Sequence, residues 1–91
     1  MIYEVRLSRR ADNDMARFAI SEPKAFMKAQ RFLEELRIHP KTGLGHPEPL
    51  KGIPENRWSR EITKKHRLVY RIFETEVFVE VLAAYGHYDD K

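Results

Sequence analysis

The chain contains no cysteine. That absence removes disulfides, thiolate nucleophiles and cysteine-based zinc or iron–sulfur sites together, and it fits a cytosolic setting. No apolar run is long enough to span a bilayer, and the opening Ile2-Tyr3-Glu4-Val5-Arg6 is no signal peptide, so no membrane is expected. Internal repeats, low-complexity tracts and linkers are also lacking. The 91 residues are expected to form one domain, residues 1–91, with a modest core. What remains is a chain 42% hydrophobic and 34% charged, as suits a soluble globular domain with a dense charged surface.

The net charge of +3 is unevenly spread. Between residues 57 and 71 the bases are Arg57, Arg60, Lys64, Lys65, Arg67 and Arg71, against Glu61 alone, a net of +5. The last twenty residues carry Glu74, Glu76, Glu80, Asp89 and Asp90 against Lys91. Concentrated positive charge suits a polyanion or an acidic partner; a solvated hairpin has the same composition.

Tyr3, Val5 and Leu7 alternate with Glu4 and Arg6, the period of a strand. Ser8 can cap a helix from Arg9 to about Ile20, with Ala11, Met15, Phe18 and Ala19 on its apolar face. Pro23 restarts helix after Ser21-Glu22. There Ala25, Ala29, Phe32 and Leu36 form a stripe, widened by Phe26 and Leu33, until His39-Pro40 ends it. Lys41 to Asn56 reads as one long irregular segment, of a length that is often functional. Three strands are expected to follow, Arg57–Thr63, Arg67–Phe73 and Val77–Ala84, joined as a meander. The order β-α-α-β-β-β argues an α+β fold, two N-terminal helices packed on a small antiparallel sheet.

Within the irregular segment, His46-Pro47-Glu48-Pro49-Leu50-Lys51 holds one acid between two prolines. Each proline fixes its own φ and extends the residue before it, so Glu48 is presented on stiff backbone. In the strand that begins at Arg67, Leu68, Tyr70 and Ile72 should face the helices. Arg67 and Arg71 then lie on the open face, where Arg60 and Lys51 can join them. Clustered guanidinium groups suit phosphate, although surface ion pairs with Glu61, Glu74 and Glu80 would look the same. Beyond the last strand, His87 is a candidate acid and Tyr88 a candidate stacking residue for unpaired RNA, although an isolated His-Tyr pair reads more readily as an ordinary frayed tail. Base, cation and acid are the groups that RNA cleavage by its own 2′-hydroxyl requires, and the set needs no metal or other cofactor. His39, His46 and His66 lack helix-face metal spacing, which argues against zinc.

These blocks resemble a known family. His46-Pro47-Glu48-Pro49-Leu50-Lys51-Gly52, Trp58-Ser59-Arg60-Glu61-Ile62, His66-Arg67-Leu68-Val69-Tyr70 and Gly86-His87-Tyr88 occur in the order and spacing of the YoeB/Txe mRNA interferase toxins of the RelE/ParE superfamily. The resemblance implies a compact RelE-like, microbial-RNase-like domain. It implies a bacterial, cytoplasmic type II toxin that cleaves mRNA, commonly in the ribosomal A site. Its implied partners are mRNA, the ribosome and a cognate YefM/Axe-like antitoxin with an acidic disordered segment, with operator DNA reached only through the antitoxin complex. Residue by residue, Glu48 resembles the general base, Arg67 the phosphate-stabilising arginine, His87 the general acid and Tyr88 the substrate-orienting aromatic. Lys51 and Arg60 are matched to phosphate contacts. Three features depart from the pattern: the added Asp89-Asp90-Lys91, and His46 and Tyr85 where basic residues are frequent. The competing expectation is a non-catalytic basic module of the same superfamily, binding RNA or an acidic protein.

Overall fold

Ser8 both ends the first strand and begins the first helix. Its hydroxyl oxygen accepts the Ala11 N–H at 3.1 Å, satisfying a helix-start amide, while its own N–H donates to Val81 O at 2.9 Å. The computed structural model describes residues 1–52 and 55–86. In chain order its elements are β1 (Glu4–Leu7), α1 (Arg9–Ser21), α2 (Pro23–Leu36), β2 (Glu48–Pro49), β3 (Arg57–Glu61), β4 (Arg67–Phe73) and β5 (Phe78–Ala83). Pro23 stands in the first turn of α2, where a missing N–H costs nothing.

Helix α1 buries Ala11, Met15 and Phe18, together with Asp14. Ala19, expected on the apolar face, is exposed: the buried set repeats at four and three residues, and Ala19 falls one position beyond Phe18. Helix α2 buries Ala25, Ala29, Phe32 and Leu36, with Phe26 and Leu33 partly covered, as its stripe predicts. Both helices contribute to one core with Leu68, Tyr70 and Ile72 of β4 and Val79 and Val81 of β5.

The sheet order is β1-β5-β4-β3-β2. Pairings β2–β3, β3–β4 and β4–β5 are antiparallel, but β1 runs parallel to β5, with Val5 opposite Val79 and Leu7 opposite Val81. The sheet is therefore mixed, not wholly antiparallel. The helical pair returns the chain so that β1 lies beside the last strand, and such end-to-end pairing leaves no local trace in the sequence. The segment Lys41–Asn56 is also not wholly irregular: Glu48-Pro49 forms a short edge strand on Ser59 and Trp58. Proline is tolerated there because an edge strand has an N–H side with no ladder partner. Among the described residues no helix is long and apolar enough to cross a membrane.

Candidate active site

Register decides which arginine meets solvent. In β3, Trp58 and Arg60 lie opposite Tyr70 and Leu68, facing the helices, whereas Arg57, Ser59 and Glu61 lie opposite Arg71, Val69 and Arg67 on the open face. Across that open face, Glu48 of β2, Ser59 of β3, Val69 of β4 and Ala83 of β5 form one row of Cα partners.

Arg60 is fully buried, which corrects its expected role as a phosphate contact. Its guanidinium donates to the Glu35 carboxylate and to the carbonyls of His39 (2.6 Å), Thr42 (2.9 Å) and Leu44 (3.2 Å). Its Nε donates to Tyr70 Oη at 3.2 Å. No donor is left over for a substrate. The Glu35 carboxylate also accepts the Leu44 N–H at 2.9 Å, and Tyr70 Oη donates to Pro40 O at 2.8 Å. Burial by itself would raise the Glu35 carboxyl, but the Leu44 N–H and the Arg60 guanidinium together hold it below its ordinary value. Burial raises the Tyr70 hydroxyl. The loop after α2 is thus wound around one guanidinium. Glu61 N–H donates to Gly45 O at 2.8 Å and fastens its end to β3, just before Glu48.

Glu48 is delivered by this scaffold onto the open face, with its side chain 61% exposed. One carboxylate oxygen stands 3.8 Å from Arg67 Nη1. Arg67 is held from below by Ser59, whose Oγ accepts from Nη1 at 3.3 Å. An ion pair this long and this exposed contributes little to stability, so both groups keep bonding capacity for a ligand. The structure therefore brings together Glu48 and Arg67, two of the four expected catalytic residues; His87 and Tyr88 lie outside the described residues. Lys51 is exposed in the turn after β2. Arg71 shares the open face, but its guanidinium lies 4.3 Å over the Phe73 ring, towards the end of β4 away from Arg67.

Several supporting residues are not evident from residue type alone. Arg60 had a readable signal, since Trp58 and Ile62 flank it at strand spacing and so share its inward face. Ser59 follows from the same alternation. Glu35 and Asp14 had none: each is one acid on a charged helix, and its partners lie far along the chain.

Two helices on one face of a five-stranded mixed sheet are the fold of the RelE/YoeB toxin class. The solved YoeB/ParE toxin from Agrobacterium tumefaciens superposes with a TM-score of 0.85 at 30% identity, covering 93% of this chain and 99% of that one. The heterotetrameric YoeB–YefM toxin–antitoxin complex from Staphylococcus aureus matches with a TM-score of 0.78 at 27% identity, over 97% of this chain and 100% of that one. Toxin YoeB of Mycobacterium bovis is 40% identical over 68 residues, 75% of this chain and 78% of its own length. The family model for the YoeB-like toxin of bacterial type II toxin-antitoxin systems matches residues 7–88, and the chain belongs to that family.

Proposed function

We propose that this chain is a cytoplasmic bacterial endoribonuclease, an mRNA interferase acting at the ribosomal A site without a metal ion. The observation that carries the reading is the approach of Glu48 to Arg67, 3.8 Å apart on the sheet face not covered by helices. Glu48 takes the proton from a 2′-hydroxyl. The 2′ oxygen attacks the adjacent phosphorus, and Arg67 stabilises the charge that builds on the non-bridging oxygens. The bond from phosphorus to the 5′ oxygen breaks as His87 donates a proton to that oxygen, leaving a 2′,3′-cyclic phosphate and a 5′ hydroxyl. Tyr88 orients the base, and Lys51 and Arg71 contact flanking phosphates. Ser59 is added as the residue that steadies Arg67.

End analysis of mRNA from cells expressing the chain tests the chemistry. Cyclic or 3′ phosphate and 5′ hydroxyl ends that persist in EDTA are expected. Glu48→Gln should slow cleavage about 10²- to 10⁴-fold, the usual value of a proton-transfer group. RNA bound but left intact would replace the nuclease with a binding module.

The partner is a cognate antitoxin, a reading supported by the YoeB–YefM assembly of the Staphylococcus aureus relative, and its acidic segment occupies the Arg67 face. Inhibition through that face should weaken as salt rises, and salt-insensitive inhibition would place the contact elsewhere.

A further inference from the structure

The amides of residues 84, 85 and 86 are secured by side chains, not by sheet pairing. The β4–β5 ladder shifts register between Val69 and Tyr70 and ends with Val69 opposite Ala83. Past that point Asp14 Oδ2 accepts from Ala84 N at 2.9 Å and from Tyr85 N at 3.1 Å. The next amide, Gly86 N, donates to His66 Nδ1 at 2.8 Å, and Gly86 O accepts the Arg67 N–H at 2.9 Å. Gly86 adopts φ +96, a conformation that favours glycine.

His66 is itself locked. It is 3% exposed, with its ring 4.9 Å from Phe18 and 4.3 Å from Tyr85, whose outer face is covered by Arg17 at 3.8 Å. Nδ1 must be bare to accept the Gly86 N–H, so Nε2 carries the proton and donates to Glu22 Oε2 at 3.0 Å. Arg10 reinforces the second anchor, with Nε 3.4 Å from Asp14 Oδ2 and Nη2 donating to Tyr85 O at 3.2 Å. Helix α1, the α1–α2 junction and the start of β4 all converge on three consecutive peptide units. The last of these, Gly86, is bonded to the backbone of Arg67 and leads directly into His87.

We propose that His66 and Asp14 are positioning residues for the reaction: they clamp residues 84–86 and fix where the chain enters His87 relative to Arg67. This rests on His87 being the acid. Neither residue touches the substrate. Their effect on rate comes through the placement of a group whose proton must travel a hydrogen-bond length, so a small displacement is costly.

The clamp itself is read in the wild-type protein by NMR, as a scalar coupling between the Gly86 amide nitrogen and His66 Nδ1. Its presence is expected, and its absence would overturn the clamp whatever the activity. His66→Phe keeps the ring packing and removes the acceptor. It should slow single-turnover cleavage at least tenfold with RNA affinity unchanged, and should cause no further loss in a His87→Gln background, because the positioned group is gone. Asp14→Asn, which retains an accepting oxygen, should stay within a few-fold of wild type, whereas Asp14→Leu should not. Wild-type rates in His66→Phe, or a full additional loss in the His87→Gln background, would refute the positioning role. A wild-type protein that shows the coupling but cuts no RNA would sink the nuclease reading and leave the clamp standing.

Discussion

Arg60 and Arg67 lie on neighbouring strands, yet one is a strut and the other the proposed reagent. Arg60 projects beneath the sheet, fully buried, its donors spent on Glu35, Tyr70 and three loop carbonyls. Arg67 projects above it, with Ser59 and a loose contact to Glu48. The side-chain period of two, not residue type or local charge, separates the roles. The two are also connected: the loop that Arg60 organises is the loop that delivers Glu48 to Arg67.

Removing the strut should give the largest effect. Arg60→Met leaves the Glu35 carboxylate and the His39, Thr42 and Leu44 carbonyls without their donor, a change that costs about 3–5 kcal/mol when a buried pair is broken. Denaturant unfolding measures it, and unchanged stability with lost RNA binding would overturn the distinction. The same network has an acid limb. The Glu35 carboxyl is held below 4.5 in the folded protein, so its contribution is complete above that value and is lost as pH falls through the folded value. Glu35→Gln should be less stable at neutral pH and flatter in its acid dependence. Glu74, lowered by Lys41 and Asn56 at the surface, is the control whose substitution should matter little at neutral pH.

Removing the proposed reagent should reverse the pattern. Arg67→Met is expected to slow cleavage about 10²- to 10³-fold, as loss of one charge-stabilising donor does. Stability should stay within about 0.5 kcal/mol, because the group lies outside the core. Comparable unfolding curves and single-turnover rates for Arg60→Met and Arg67→Met would abolish the contrast.

The open-face arginines of β4 were legible from its period, but Arg60 of β3 was expected on the open face although Trp58 and Ile62, two residues to either side, mark it as inward. In β4, Leu68, Tyr70 and Ile72 mark the buried side, and Arg67 and Arg71 follow. β2 has two residues and therefore no period, so only the prolines around Glu48 hinted at an ordered backbone. The parallel pairing of β1 with β5 joins the two ends of the chain and depends on where the helices return it. Asp14 looks like any helix acid, and its acceptor role exists only once residues 84 and 85 arrive beside it.

The smallest test of the two-sided sheet uses two glycines of the loop that links its faces. Gly45 and Gly52 have nearly the same φ, +80 and +78. An added Cβ at Gly45 would stand 2.5 Å from Phe32 Cζ and 3.1 Å from Arg60 Cβ; at Gly52 it would meet nothing within 4 Å. Both alanine variants carry the backbone strain of a left-handed residue, about 1–2 kcal/mol. Only Gly45→Ala must also displace the ring and the strut, adding about 1–3 kcal/mol of overpacking. The difference between the two unfolding free energies isolates the packing of the loop on Arg60 from the conformational cost common to both. A difference near zero would mean that the loop yields freely there, and Arg60 could not then be what sets the position of Glu48.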